Sequence, residues 1–343
     1  MSIDKSNPTS HCITRRGAVA AIAGGAAALA APALVRAQPK KILLRVSTPA
    51  AAEDFNGKMW TIMKEDLERT APGVFDIQIF TGGTLFKQGT DVTAMARGNL
   101  ESGEIVPQDI AKTMPEYSIF TAPYLFRDTA HMNNVFNGDI GREMYKEVVE
   151  KMGVTVLSTY YLGTRQVNLR DVRDVKTPAD LKGVKLRMPG TKEWLFMGES
   201  LGATATPLPL AEVYLALKTG TIDGQDNPLP SVKVWKFYEV TKQIVLTSHF
   251  VSGQFLGVSN TFWASLNQEQ RTKVQDAFRA AGRWQDTNRI RDEQGNVDFF
   301  KTQGMTITTP DVDAFRKFAQ AKYLASDYAK VWPKGLIDRI NAT

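Results

Sequence analysis

Apolar periodicity alternates between two and 3.6 along the first part of the chain, and this restricts the fold more than any other feature. Residues 41–47 read as a strand, buried through Leu43 and Leu44. Residues 55–69 follow with Met59, Trp60, Met63 and Leu67 at helical spacing. Pro72-Gly73 turns the chain into a strand over 75–80, where Phe75, Ile77 and Ile79 alternate. Residues 87–97 then read as a helix closed by Gly98. Strand, helix, strand, helix predicts an α/β domain with a largely parallel sheet.

Later strands are expected at 154–160, 184–188, 243–247 and 255–259, with helices over 192–201 and 211–218. The last third reads as mostly helical. A long pattern from Asn267 to Phe300 is carried by Val274, Phe278, Ala281, Trp284 and Ile290. A short strand over 305–308 and a helix from Asp311 follow it. At 343 residues the chain has material for two domains of roughly 100–200 residues each. No Pro/Ser-rich linker divides them, so the chain is expected to cross between them several times, as in a hinged clamshell.

Residues 1–37 read as an export signal. Arg15-Arg16 opens an uncharged Ala/Gly-rich stretch from Gly17 to Val35, and Val35-Arg36-Ala37 offers a small-residue cleavage site. Paired arginines with weak hydrophobicity point to the twin-arginine route and a periplasmic destination. Pro32 and the low insertion energy of Ala and Gly argue against a retained membrane anchor. Without Lys5, Arg15, Arg16, Arg36 and Asp4, 38 basic and 35 acidic residues remain. That near balance gives no nucleic-acid footprint.

The only cysteine, Cys12, leaves with the signal, which excludes a disulfide, a thiolate nucleophile and a cysteine-ligated metal from the mature chain. His131 and His249 match no metal spacing. No G-x-S-x-G elbow, Walker loop, H-E-x-x-H or dinucleotide fingerprint occurs. A binding protein without catalysis, metal or cofactor is therefore expected. An exported hydrolase or isomerase using a carboxylate pair is the alternative, because so many acidic residues always offer some pair.

Recognition chemistry concentrates between Gly163 and Pro228. In the strand over 184–188, Val184, Leu186 and Met188 share one face and Arg187 lies on the other, at the carboxyl end. Pro189-Gly190 stops that strand, and Thr191 caps the helix carrying Trp194. Ligands of open α/β sheets bind outside the carboxyl ends of strands, where an arginine can hold a carboxylate through two parallel hydrogen bonds, although spacing alone fits a solvated surface arginine as well. Asn227, held extended before Pro228, reads as a loop asparagine able to face a cleft.

Several motifs in fixed order complete the pattern: Gly163-Thr164-Arg165-Gln166, Asp180-Leu181-Lys182-Gly183, Leu186-Arg187-Met188-Pro189, Glu212-Val213-Tyr214-Leu215-Ala216-Leu217 and Asp223-Gly224-Gln225-Asp226-Asn227-Pro228. Here the chain resembles the extracytoplasmic substrate-binding proteins of TRAP (tripartite ATP-independent periplasmic) transporters, of the DctP type, from Leu43 to about Val331. The resemblance implies a two-lobed periplasmic binding protein fold, with a ligand cleft between the lobes and a long helix crossing both. It places one lobe at 39–162 plus 253–292 and the other at 163–252 plus 293–343.

The resemblance also implies a small carboxylate ligand held by Arg187, assisted by Arg165 and Asn227, and delivery by a monomer to membrane subunits driven by an ion gradient. First-lobe contacts are expected from the loop carrying Gln108 and Asp109, and from Phe55. The acidic residue and arginine that sialic-acid binders carry on that loop fall here on Val106 and Asp109. Glu193 and Trp194 suit a hydroxylated sugar acid such as a hexuronate, though Trp194 reads equally well as core.

Overall fold

The computed structural model describes residues 40–343; the expected export signal lies outside the described residues. Nine strands form one sheet among these residues. They are β1 (Ile42–Ser47), β2 (Phe75–Phe80), β3 (Ser102–Ile105), β4 (Val154–Leu169), β5 (Lys185–Met188), β6 (Thr204–Pro207), β7 (Gly224–Pro228), β8 (Gln243–Ser259) and β9 (Thr306–Thr308). The order is β2-β1-β3-β8-β4-β7-β5-β6, with β9 paired to β8. The β2-β1-β3 and β7-β5-β6 groups are parallel, and the two long strands between them are antiparallel to each other.

The architecture is two-lobed, and the buried apolar clusters show it. Two clusters draw on residues between 44 and 162 and on the 251–281 stretch; two others draw on 167–250 and residues such as Phe300 and Phe315. The last helix, Leu336–Asn341, sends Leu336 and Ile340 into a first-lobe cluster. The tail expected to stay in the second lobe therefore returns to the first, because these two apolar residues share one helical face.

Sequence periodicity gives one short strand over 154–160 and two over 243–247 and 255–259, where the structure has two long ones. β4 runs 16 residues and β8 runs 17, passing through both lobes. Their register shifts at Tyr161/Gly163 and again at Arg165/Val167, at the passage from one lobe to the other. Gly163 sits there at φ +134, with Pro228 so close that an added Cβ would meet its side chain at 2.4 Å. Local amides freed by the bulge are taken by the crossing helix. Tyr161 N donates to Asp286 Oδ1 at 2.6 Å, and Thr164 N donates to Glu293 Oε1 at 2.8 Å.

That helix, Gln268–Thr302, spans 35 residues and about 50 Å. Asn267 caps it reciprocally with Gln270. Its first half buries Val274, Ala277, Phe278 and Ala281 in the first lobe, and its end buries Phe300 in the second. Close contact with β4 requires Gly282, where a Cβ would stand 2.5 Å from Ser158 Oγ. No helix among the described residues is long and apolar enough to cross a membrane.

Candidate ligand-binding site

A cavity of about 520 Å³ lies between the lobes. First-lobe residues Asp54, Gln88, Asp91, Glu104 and Asp109 line one side, and Arg165, Glu193, Trp194 and Asn227 of the second lobe line the other. That volume is in the ordinary range for a small-molecule site.

The second-lobe wall is built from β4, β5 and β7. Asn227 belongs to β7, a central strand, and not to a loop as its polar context suggests. Arg165 Nε donates to Asp226 Oδ2 at 2.6 Å and Nη2 donates to Oδ1 at 2.9 Å, a bidentate pair. His249 Nε2 meets the same Oδ2 at 3.1 Å, and its Nδ1 meets Thr247 Oγ1 at 2.8 Å. Burial alone would raise the Asp226 carboxyl, but the Arg165 guanidinium and the His249 ring hold it well below the ordinary carboxylate range. Burial in turn lowers His249. The Arg165 guanidinium lies 4.7 Å from the centroid of the Trp194 ring, so one face of that ring is occupied. Trp194 is only 4% exposed and belongs to the second-lobe core while touching the cavity.

Arg187 is buried on β5, one layer behind the lining. Its Nε donates to Leu208 O and its Nη2 to Gln88 Oε1, both at 2.7 Å. Among the described residues Nη1 has no hydrogen-bond partner. Burial, countered by Asp226 and reinforced by Arg165, pulls its pKa down to about 9, which leaves it charged at neutral pH. Gln88 Oε1 also accepts from Leu210 N at 3.0 Å, so one first-lobe amide ties the lobes together at the arginine. The helix expected over 87–97 begins only at Asp91, and the turn before it lets Gln88 reach across.

The first-lobe wall is acidic. Glu104, on β3, accepts from Thr48 Oγ1 at 2.5 Å and from Trp60 Nε1 at 3.5 Å. Burial pushes Glu104 up to about 7 and Asp109 up to about 6. Burial also raises Asp91, and the charges of Asp109 and Glu104 add to that shift. Asp109 Oδ2 accepts from Val106 N at 3.1 Å across the first turn of the helix Pro107–Thr113.

The structure thus brings Arg165, Asn227, Asp109, Glu193 and Trp194 to the cavity, with Arg187 immediately behind it. Phe55 is a correction: its ring packs edge-on to Trp284 of the crossing helix, at 5.6 Å between centroids, and it does not line the cavity. Gln108 is another, lying fully buried off the lining because its helix turns Asp109 toward the cavity instead. Sequence reasoning missed Gln88, Asp91 and Glu104. Glu104 carried a signal, as a charge inside a short apolar-flanked strand; Gln88 carried none.

The sequence profile of the bacterial extracellular solute-binding proteins, family 7 (DctP), matches residues 46–330. The chain belongs to that family. Family 7 proteins of TRAP systems bind small acids and hand them to membrane transporter subunits. The chain is 30% identical to the sialic acid-binding periplasmic protein of Vibrio cholerae serotype O1 over 266 residues, 78% of this chain and 82% of the relative. It is 42% identical to a TRAP periplasmic solute-binding protein from Roseobacter denitrificans with bound 3-deoxy-D-manno-oct-2-ulosonic acid, at a TM-score of 0.84 over 88% of this chain and 99% of that one. A TRAP protein from Xanthobacter autotrophicus with bound β-D-galacturonate is 27% identical, with a TM-score of 0.79 and coverage of 88% and 99%.

Proposed function

We propose that this protein is the periplasmic receptor of a TRAP transporter for a polyhydroxylated sugar acid, of the ulosonate or hexuronate kind. The observation that carries this reading is Arg187, a buried cation whose Nη1 has no hydrogen-bond partner among the described residues, beside a cavity whose other wall is rich in acceptors. A carboxylate arriving at that guanidinium takes a charge-assisted fork, and Asn227 and the Asp226-held Arg165 flank it. Sugar hydroxyls then face Asp109, Glu104 and Glu193. The octulosonic acid bound by the Roseobacter relative and the galacturonate bound by the Xanthobacter one have this two-ended character. Val106 and Asp109, in place of the acid and arginine of sialic-acid binders, count against sialic acid itself.

In this reading residues 1–37 direct export. The first lobe comprises 39–162 plus 253–292, and the second comprises 163–252 and the chain from 293 until the last helix returns. A ligand that bridges the two walls adds contacts to the Gln88 tie, so binding shifts the population toward the closed form that docks on the membrane subunits. Bound ligand is released unchanged.

The test is a thermal-shift and calorimetric panel of 3-deoxy-D-manno-octulosonate, galacturonate, galactonate and neutral galactose. An acid at 100 times its dissociation constant should add about 2.7 kcal/mol of stability, and galactose none. Equal shifts with galactose, or none with any sugar acid, would defeat the reading. Recovery of a chemically altered acid after incubation would favour the hydrolase or isomerase alternative.

A further inference from the structure

Anion capture by Arg187 does not require the carboxylates of the cavity. Asp91, Glu104 and Asp109 come from the first lobe and Glu193 from the second, and all four line the same space. Glu104 and Asp109 have donors of their own, from Thr48, Trp60 and the Val106 amide. Glu193 differs from them. It is 0% exposed, yet neither of its oxygens has a hydrogen-bond partner among the described residues. Lys192 Nζ stands 3.8 Å from Oε1 on a largely exposed side chain, close enough to attract and too far to donate.

Buried acceptors without donors are costly, and a molecule entering the cavity with N–H or O–H groups recovers that cost. Hydroxyls supply them, whereas an ionised carboxylate brings acceptors alone and a like charge. Lys112 and Lys192 on the same lining make the region a poor receiver for a cation. We propose that Asp109 and Glu193, one from each lobe, form a tail-recognition pole that accepts hydrogen bonds from the ligand's hydroxyls and rejects a second carboxylate. This rests on the sugar-acid reading above and narrows it to monoanions. Hydroxyls bridging the pole also join the two lobes, so the ligand's tail favours closure as its carboxylate does.

The test sets D-galactarate, which carries a carboxylate at both ends, against D-galactonate, which differs from it only at the far end, with D-galacturonate as a cyclic monoacid beside them. Calorimetry on the purified protein should show galactarate binding about 100-fold or more weakly than the tighter monoacid. Glu193→Gln keeps an acceptor and removes the charge, and Asp109→Asn does the same from the other lobe. Each should cut that ratio to below about tenfold, mainly by improving galactarate binding. Thermal melting of both variants confirms that they are folded. Galactarate binding as tightly as the monoacids, or a ratio unchanged in both variants, overturns the proposal while leaving the sugar-acid reading in place. Failure of every sugar acid to bind overturns both.

Discussion

The two walls of the cleft solve the problem of buried charge in opposite ways. On the second lobe, Arg165, Asp226, His249 and Thr247 satisfy one another within the protein, and the Trp194 ring covers the Arg165 guanidinium. On the first lobe, Glu104, Asp109 and Asp91 are buried with few donors and no cation in hydrogen-bonded contact, so burial raises all three. Paired charges knit the second wall together around Asn227, whose Oδ1 meets Arg165 Nη2 at 3.4 Å. A wall of under-satisfied acceptors keeps its capacity for donors that enter the cavity. In the reading proposed above the second lobe anchors the carboxylate, and both lobes share discrimination, since Glu193 of the second lobe is as short of donors as the first-lobe acids.

The strongest way to break this comparison is to unpair the second wall. Asp226→Ala leaves Arg165 and His249 without their shared acceptor and should cost about 3–5 kcal/mol of stability, read from the denaturant midpoint at constant slope. A loss below about 1 kcal/mol would mean that this wall is no better knit than the other. Next in size, Arg187→Ala should keep the fold and cost about 2–5 kcal/mol of binding to the preferred acid. Arg187→Lys should also bind weakly, because an ammonium does not reproduce the fork. Wild-type affinity in either variant would remove Arg187 from the site.

Acidity sharpens the contrast. Glu104 sits at about 7 in the fold against an ordinary 4.5, so the folded protein holds a proton that the unfolded chain has lost between those values. Its contribution is complete below pH 4.5 and disappears as pH rises through about 7, a change of order 3 kcal/mol. Asp109 acts in the same direction through about 6. Asp226, depressed in the fold, stabilises above the ordinary carboxylate range and loses that contribution on acidification. Denaturation of the ligand-free protein between pH 4 and 8 should therefore show stability falling with pH, and Glu104→Gln should flatten the slope. A slope unchanged by that substitution would place the raised group elsewhere.

The smallest effect belongs to the tie between the walls. Gln88→Ala removes the acceptor shared by Arg187 Nη2 and Leu210 N and should lower ligand affinity by about 1–2 kcal/mol, chiefly through faster release. Stopped-flow dissociation would check it; an unchanged off-rate would show that Gln88 plays no part in holding the cleft closed.

Some of this was legible in the residues alone. Val184, Leu186 and Met188 put their apolar face into the core and Arg187 at the carboxyl end of β5, because a strand's period of two leaves no other choice. The crossing helix declared itself through its apolar stripe, while its capping box emerged only with the structure. By contrast, Gly224-Gln225-Asp226-Asn227-Pro228 contains no aliphatic residue and reads as a loop, yet it is a fully buried strand between β4 and β5. Its polar side chains are tolerated only because Asn168, Arg165 and His249 come from other strands to bond them. The breaks within β4 and β8 misled for a similar reason: the bulge at Gly163 interrupts the periodicity while Asp286 and Glu293 of a distant helix take up the freed amides.

The sequence by itself determined the α/β class, the long helix, the family and the place of Arg187 at the carboxyl end of its strand, since each depends on local spacing or on motifs in fixed order. Only the tertiary structure decided which charges are paired and which await a partner. Gln88 meeting Arg187 across 99 positions, and Asp109 and Glu193 coming from opposite lobes to one cavity, are facts of packing. Burial and long-range contact set the cost of a charge, and neither is encoded in the residues next to it.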